Sequence, residues 1–399
     1  MAENKYESNA FEKYDVINPR PVFDKSVNIV FSTDANYLPY LSVALQSLID
    51  NSAEKNNYDI IILSSGIVDW QKRFIVGQAK GRGNFSIRFL NIEKYIEQYG
   101  LDKLFIRTNG HISMAAYYRL FAGKIFGEYQ KILYLDSDIV INADIADLAT
   151  IDIKDYPIAA IEDVRIAINR IYVDDEKFHK EFSEYMREIL DMTDIKGYFN
   201  SGVLIIDIPK YNEIGLDHLL DLAKKNNRFY HDQNVLNAAF QHNYYRLPLT
   251  WNCQYHIMFC CSQYKKYLSA DDLSLYEEYD SRPNIIHYTS STKPWNAYYA
   301  MAEFWWRYAT KTPFFPIIIK RFTTNAIKPD IEKWQMIFLC NNIIYLRLRK
   351  IGFWLLKGLS WGERRNKYRA KYKIVRQLIR RVKEFRRDAW QKLSNDGSF

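Results

Sequence analysis

Apolar residues in this chain occur mainly as short unbroken runs, separated by polar residues or by stretches with helical spacing. The runs VNIVFS (27–32) and YDIIIL (58–63), and later YFNSGVLIIDI (198–208), predict strands covered on both faces, because their apolar residues do not alternate with polar ones. FSIRFL (85–90) predicts a further strand. After the first run, Pro39 suits the first turn of a helix, and apolar residues then recur at helical spacing as far as Ile49. This alternation predicts an α/β fold with a mostly parallel central sheet.

One apolar run leads directly into a pair of carboxylates. In KILYLDSDIV (131–140), four apolar residues precede Asp136 and Asp138. Residues i and i+2 of a strand point to the same side, so both carboxylates can reach one ion at a strand end, where ligands of parallel sheets bind. Mg²⁺ and Mn²⁺ prefer such oxygen ligands, and a diphosphate can complete their coordination. On this motif alone, a helix-capping aspartate beside a solvated one stays an alternative.

The charge of the chain is concentrated in its last part. The net charge is +8, yet residues 317–399 contain 21 Lys and Arg against 6 Asp and Glu, so the preceding residues carry −7. We therefore predict a polar N-terminal extension (1–25), an α/β domain (26–315) and a basic aromatic helical region (316–399). The last region suits a helix lying on an anionic membrane surface. A basic helical bundle packed on the α/β domain stays open, whereas the absence of a recognisable motif disfavours nucleic-acid binding.

Cysteine usage and the N-terminal residues bear on location. The four cysteines have neither zinc nor redox spacing, and adjacent Cys260 and Cys261 are most simply reduced core residues. The first residues are polar and lack the apolar segment of a secretory signal, and no stretch approaches the roughly 20 apolar residues of a membrane span. We expect a cytoplasmic protein, associated peripherally with the inner face of the membrane.

Polar residues elsewhere in the chain are further candidates for a site. Arg119 falls within a predicted helix, and the others lie in loops or near the ends of predicted elements: Asn200, Asp232, Gln233, His287 and Lys293. Each has an ordinary structural explanation. A lone histidine is commonly a hydrogen-bonded core residue, and a loop lysine is commonly solvated, although it can also bind phosphate. An asparagine before a strand can be a turn residue, and Asp232 can cap the helix that follows it. Arg119 would by default form a surface ion pair.

Five longer motifs follow one another along the chain: IVFSTDANYLPYLSVALQSL, YYRLFAGKIFGEYQKILYLDSDIVI, GYFNSGVLIIDI, HDQNVLN and IIHYTSSTKPW. Together they resemble glycosyltransferase family eight, the retaining, sugar-nucleotide-dependent enzymes that include bacterial lipopolysaccharide galactosyl- and glucosyltransferases and, more distantly, glycogenin. EFWWRYATKTPFF also looks like the end of the catalytic domain in bacterial members. The resemblance covers about residues 27–315 and implies a nucleotide-sugar-binding α/β domain of the GT-A type.

The resemblance also implies roles for individual residues. The metal ligands, for Mn²⁺ or Mg²⁺, would be Asp136, Asp138 and His287, and Lys293 would hold the donor diphosphate. Matches to the uridine-binding loop are Asp34, Asn36 and Tyr37. Positions that line the donor sugar in the family match Arg119, Asp163, Asn200, Asp232 and Gln233. In one departure, Ser290 stands where many relatives have a glycine whose amide approaches phosphate.

The implied reaction is transfer of galactose or glucose, with retention, from a UDP-sugar to a lipid-linked or cell-surface glycan. Gln233 corresponds to the side chain nearest the sugar face opposite the leaving group, and it is no carboxylate, which favours same-face attack by the acceptor. A double displacement through Asp163 or Asp232 stays open. Two other classes also stay open: a metal-dependent nucleotidyltransferase, and a non-catalytic membrane-binding adaptor with a degenerate α/β domain.

Overall fold

The computed structural model describes residues 14–100, 114–164, 166, 176–193, 195–226, 231–254, 283–289, 293–296 and 301–324, and positions 350, 354, 356, 362, 364–373, 375–377 and 379–380. The chain divides into two compact units, Met1–Ile319 and Lys320–Phe399. Residues 1–13, Cys260, Cys261, Ser290 and the aromatic stretch 325–349 lie outside the described residues, so the predictions made for them stay predictions. Within the described residues, no helix combines the length and apolar character needed to cross a bilayer.

The strands and helices of the first unit largely alternate along the chain. The strands are β1 (Val27–Asp34), β2 (Tyr58–Ser65), β3 (Phe85–Asn91), β4 (Lys131–Leu135), β5 (Ile139–Ile141), β6 (Ile158–Glu162), β7 (Phe199–Asp207), β8 (Tyr245–Arg246), β9 (Cys253–Gln254) and β10 (Ile285–His287). The α-helices are α1 (Leu38–Asn51), α2 (Asp69–Gly77), α3 (Glu93–Tyr99), α4 (Ala122–Ile125), α5 (Ile145–Ala149), α6 (Glu176–Leu190), α7 (Ile208–Ile214), α8 (Leu216–Lys225), α9 (His231–Phe240) and α10 (Ala302–Ala309). Two 3₁₀-helices span Met114–Phe121 and Leu249–Trp251.

Seven strands form the central sheet in the order β3-β2-β1-β4-β7-β6-β8. Strand β7 runs antiparallel to β4 and β6, and the other pairs are parallel. A second sheet has the order β5-β10-β9, in which β5 and β10 are antiparallel. The predicted α/β fold with a mostly parallel central sheet is therefore confirmed.

Both faces of the central sheet are covered, as the unbroken apolar runs predict. Ile29 and Phe31 of β1 belong to one apolar core, which also contains residues of α1, α10 and the three-stranded sheet. Val30 between them belongs to a second core, formed with the first 3₁₀-helix and helices α6, α8 and α9. Successive residues of a strand point to opposite faces, so a strand between two cores needs an apolar residue at every position.

Part of the predicted N-terminal extension pairs with the outer edge of the central sheet. The amide of Phe89 in β3 donates to Tyr14 O, and the amide of Val16 donates to Phe89 O, each at 2.7 Å. Lys72 of α2 secures the segment through Asp15, at 2.6 Å. Because an open strand edge invites pairing with another chain, this segment protects the β3 edge.

Candidate active site

The carboxylate pair lies where β4 leaves the central sheet and β5 enters the smaller one. The amide of Asp136 donates to Gly202 O of β7 at 2.8 Å, which extends the pairing of β4 with β7 by one residue. Strand β5 begins directly after Asp138 and pairs with β10, in the register Ile139 opposite His287. Strand pairing therefore brings His287 to Asp138 from a distant part of the sequence.

The three predicted metal ligands converge. His287 Nε2 lies 3.2 Å from Asp138 Oδ1 and 3.6 Å from Asp136 Oδ2, and the potential ligand atoms of the three residues all lie within 4.8 Å of one another. A Cβ atom on Gly202 would lie 2.1 Å from His287 Cε1 and 2.7 Å from Asp136 Oδ2, so the cluster has no room for a side chain there. Two carboxylates and an imidazole fit Mn²⁺ or Mg²⁺.

Two cations neutralise the carboxylate pair. Lys293 Nζ lies 2.5 Å from Asp138 Oδ2 and also donates to the carbonyl of Tyr288. Arg119 Nη2 lies 2.7 Å from Asp136 Oδ1. Burial alone would raise the pKa of Asp138, but Lys293 and His287 hold that pKa well below its ordinary value. Asp138 is therefore ionised, as a metal ligand must be.

Arg119 is buried between two carboxylates and forms no surface ion pair. Its side chain is 4% exposed, and its Nε lies 3.1 Å from Asp232 Oδ2. Burial opposes the charge of Arg119, but Asp136 and Asp232 raise its pKa above the ordinary value. Burial also raises the pKa of Asp232, to about 6, against the opposing effect of Arg119. The Arg119 guanidinium thus connects the predicted metal ligands Asp136, Asp138 and His287, called the metal cluster below, to the first turn of α9.

The buried amide side chains of the predicted sugar subsite bind one another. Gln233 Nε2 donates to Asp163 Oδ2 at 3.0 Å, and Gln233 Oε1 accepts from the amide of Ser201 at 3.1 Å. Asn200 Nδ2 donates to Gln233 Oε1 at 3.2 Å and to Asp163 Oδ2 at 3.3 Å. Asn200 is the second residue of β7 and not a turn residue. Gln233 lies in the first turn of α9, next to Asp232.

The predicted uridine-binding loop connects β1 to α1. Asp34 Oδ1 accepts hydrogen bonds from the amides of Asn36 and Tyr37, both at 2.9 Å, so this carboxylate shapes the turn. Asn36 is exposed, whereas the Tyr37 ring packs edge-on against Trp295, 5.7 Å between centroids. Burial, then Asp138 and Asp136, raise the pKa of Tyr37 well above its ordinary value. Its hydroxyl therefore stays neutral and can donate a hydrogen bond.

A cavity of about 260 Å³ opens between this loop and the metal cluster. The residues that line it are Ser32, Thr33, Tyr37, Ala115, Ala116, Arg119, Tyr134, Asp136, Ser137 and Asp138. Asp163, Asn200 and Gln233 are not among them and are nearly fully buried. Tyr37, the two carboxylates and the Arg119 guanidinium therefore face one cavity. The amide side chains connect to Asp232 through Ser201, whose hydroxyl donates to Asp232, and through the helix that Asp232 shares with Gln233.

Comparison with known proteins identifies the family. The model of glycosyl transferase family 8 matches residues 28–298. The chain belongs to glycosyl transferase family 8. It is 31% identical to glycosyltransferase GlyF of Streptococcus pneumoniae, over 70% of this chain and 61% of GlyF. It is 29% identical to a lipopolysaccharide 1,2-glucosyltransferase of Escherichia coli, over 68% of this chain and 73% of that protein. The chain thus spans less than two thirds of GlyF.

Solved structures agree with this assignment. The bifunctional glycosyltransferase WbbM matches with a TM-score of 0.64 at 25% identity, over 76% of this chain and 53% of WbbM. The galactosyltransferase LgtC, solved with donor and acceptor sugar analogues, matches with a TM-score of 0.56 at 22% identity, over 72% of this chain and 96% of LgtC. The family resemblance and the GT-A-type fold predicted from the sequence are therefore confirmed.

Several residues of this family 8 site were not predicted from the sequence. Asn252 Oδ1 lies 2.8 Å from His287 Nδ1. Trp295, two residues after Lys293, stacks on Tyr40 with 4.0 Å between ring centroids. Gly202 lay within a quoted motif, but only its distances to the cluster reveal its steric role. Asn252 stands between a 3₁₀-helix and a two-residue strand, which leave no periodic signal.

Proposed function

We propose that this protein is a retaining, divalent-metal-dependent glycosyltransferase that moves galactose or glucose from a UDP-sugar to a glycan acceptor. The observation that carries this proposal is the convergence of Asp136, Asp138 and His287, with Lys293 bound to Asp138. The two carboxylates line the same cavity as Tyr37. The names of the Escherichia coli relative and of LgtC, a glucosyltransferase and a galactosyltransferase, support a hexose donor.

The metal-binding residues are suited to a nucleoside diphosphate leaving group. Bound Mn²⁺ or Mg²⁺ would supply a Lewis acid that offsets the charge growing on the diphosphate. Asp136, Asp138 and His287 would hold this ion, and the compact Lys293 ammonium would bind phosphate oxygens beside it. The Trp295 ring, stacked on Tyr40 of α1, fixes the short segment that carries Lys293.

The side chains of the sugar subsite support same-face attack. Both ends of the Gln233 side-chain amide form hydrogen bonds within the protein. Asp163 is also hydrogen-bonded: its Oδ1 accepts from the backbone amide of Ile166, and its Oδ2 accepts from the side-chain amides of Asn200 and Gln233. Neither group is therefore poised as a nucleophile. In the proposed step, the acceptor oxygen bonds to the anomeric carbon as the carbon–oxygen bond to the diphosphate breaks. The departing phosphate oxygen takes the acceptor proton.

Asp232 is the remaining carboxylate for a double displacement. It is 6% exposed and paired with Arg119, which favours a role in holding Arg119 over attack on carbon. A covalent glycosyl-enzyme on Asp232, trapped with a slow donor and found by mass spectrometry, would contradict same-face attack.

The proposed reaction is tested by a UDP-release screen over UDP-sugars with Mn²⁺, first without and then with lipid-linked glycan acceptors. We expect release that requires the metal and is abolished by EDTA, with the anomeric configuration of the product retained by NMR. Asp138→Asn should abolish transfer and keep the wild-type circular dichroism spectrum. A nucleotidyltransferase would instead consume a nucleoside triphosphate, and an adaptor would release nothing. Full activity of Asp138→Asn without metal would overturn the proposal.

We also propose that the basic region docks the protein on the anionic cytoplasmic face of a membrane, where lipid-linked acceptors lie. Support comes from the +15 balance of residues 317–399 and from Trp354 and Leu356, which are 55% and 41% exposed. Flotation with anionic liposomes should be strong at low salt, weak at high salt and lost on truncation after Ile319. Equal flotation with zwitterionic liposomes would contradict the electrostatic part of the proposal.

A further inference from the structure

The imidazole of His287 has a second polar neighbour on the side away from the carboxylates. Its Nδ1 lies 2.8 Å from Asn252 Oδ1, and the two residues are 3% and 0% exposed. In neutral histidine one ring nitrogen carries a hydrogen and the other carries a lone pair. The partner of Nδ1 therefore decides whether Nε2, which faces the carboxylates, has the lone pair that a metal needs.

The orientation of the Asn252 amide follows from its other neighbour, Asn200. The backbone amide of Gly202 donates to Asn200 Oδ1 at 3.0 Å, and a backbone N–H can only donate. At its other end, Asn200 Nδ2 donates to the Asp163 carboxylate at 3.3 Å. The orientation of the Asn200 side-chain amide is thus fixed at both ends, by a backbone N–H that can only donate and by a carboxylate that accepts. Asn252 must then present its Nδ2 to Asn200 Oδ1, at 2.9 Å, which turns its own Oδ1 toward His287.

We propose that Asn252 is a positioning residue that holds His287 in the Nδ1–H tautomer and so makes Nε2 the metal-binding atom. Since Asn252 Oδ1 can only accept, Nδ1 must carry a hydrogen, and Nε2, 3.2 Å from Asp138 Oδ1, is the nitrogen that gives up its hydrogen when a metal binds. Partners that orient metal-binding histidines in this way commonly change metal affinity about 10–100-fold when removed. The inference deepens the proposed function and rests on its metal site.

Strand pairing holds Asn252 in place. It follows the 3₁₀-helix Leu249–Trp251, and its amide donates to Leu249 O at 3.1 Å. Strand β9 begins at the next residue and pairs in parallel with β10, with Gln254 opposite His287. Asn252 therefore directly precedes the strand that pairs with the one containing His287. The amide contacts run from Asp163 through Asn200 and Asn252 to His287.

The test compares two substitutions that differ in what they present to Nδ1. Asn252→Leu keeps a similar size but removes the acceptor, whereas Asn252→Asp keeps an acceptor. Asn84→Leu is the control: this half-buried amide, in the turn just before β3, donates to Asn56 O at 2.8 Å and makes no contact with the predicted metal ligands. Mn²⁺ affinity is measured from the electron paramagnetic resonance signal of the free ion. The tautomer is read from two-bond proton–nitrogen spectra of metal-free, ¹⁵N-histidine-labelled protein at alkaline pH, with His287→Gln providing the assignment.

We expect the wild type to show the Nδ1–H pattern for His287 and Asn252→Asp to keep it. Asn252→Leu should lose that pattern and bind Mn²⁺ about 10–100-fold more weakly. Asn84→Leu should retain both properties. A wild-type Nε2–H tautomer would overturn the proposal even if Asn252→Leu failed to fold, and so would unchanged tautomer and affinity in a folded Asn252→Leu. A wild type that shows the Nδ1–H pattern but binds no Mn²⁺ would instead refute the proposed metal site.

Discussion

Replacement of Gly202 by alanine should remove metal binding without unfolding the protein. The added Cβ would lie 2.1 Å from His287 Cε1, 2.9 Å from His287 Nδ1 and 2.7 Å from Asp136 Oδ2. Carbon atoms in contact normally lie about 3.5–4.0 Å apart, so the ring and the Cβ must separate by about 1.4 Å or more. Metal sites tolerate deviations of only about 0.2 Å in ligand distance.

The backbone at Gly202 has little freedom to absorb this displacement. Its amide donates to Asn200 Oδ1, and its carbonyl accepts from the amide of Asp136, in the middle of the seven-stranded sheet. The imidazole of His287 must therefore move, and this movement breaks its hydrogen bond to Asn252. Overpacking of this kind typically costs about 1–3 kcal/mol, which a chain with two large apolar cores should survive.

The assay is Mn²⁺ binding by electron paramagnetic resonance, with thermal unfolding followed in parallel. Gly123→Ala is a matched control, because a Cβ there would lie equally close, 2.1 Å, to Asn212 Oδ1, away from the metal cluster. We expect both variants to lose stability and only Gly202→Ala to lose Mn²⁺ affinity. Wild-type affinity in a folded Gly202→Ala would refute the steric argument, and so would equal loss in both variants.

Three further outcomes are expected. Asp59→Ala leaves the Arg88 guanidinium without its fully buried carboxylate partner, 2.7 Å away. In denaturant titrations it should lower the free energy of unfolding by about 3–5 kcal/mol, and Mn²⁺ affinity should stay unchanged. A loss below about 1 kcal/mol would contradict this prediction. Burial raises the pKa of Asp232 from 3.8 to about 6, so between these pH values the folded metal-free chain keeps a proton on Asp232 that the unfolded chain has lost. The free energy of unfolding should therefore fall as pH rises through this range, by at most about 1.4 kcal/mol per pH unit. Asp232→Asn should remove that slope, and an unchanged slope would exclude Asp232 as its source. Finally, Mn²⁺ should bind more tightly with UDP present, and equal affinities by calorimetry would contradict the charge balance of the cluster.

The pattern of apolar and polar residues predicted the longer strands of the central sheet. Runs without alternation identified β1, β2 and β7, because a strand between two cores buries residues on both faces. The end of one such run also identified Asp136 and Asp138. The alternating run FSIRFL identified β3, which lies at the edge of the sheet. Residues 14–16 gave no such signal, because three residues are too few to show a period, although their backbone pairs with β3 and Asp15 binds Lys72.

The remainder of the site depends on contacts between distant segments. His287 was assigned by family resemblance, and what places it beside Asp138 is the pairing of two three-residue strands. Such short strands carry no period to detect. Arg119 was expected on the surface by default, yet two carboxylates from separate elements make its burial favourable. Neither periodicity nor family resemblance identified Asn252, since its role follows only from the donor and acceptor atoms of its neighbours Asn200 and His287.

Paired aspartates at the end of a buried strand require compensation, and the structure supplies it from two directions. Arg119 binds Asp136 and also Asp232, while Lys293 binds Asp138 from the segment after β10. These three carboxylates exceed the two cations by one charge, so a divalent ion bound alone would leave one excess positive charge in a largely buried site. A nucleoside diphosphate carries the opposite charge and removes that excess. We therefore expect the proposed metal and nucleotide to favour each other's binding, and by linkage each should strengthen the other by the same factor.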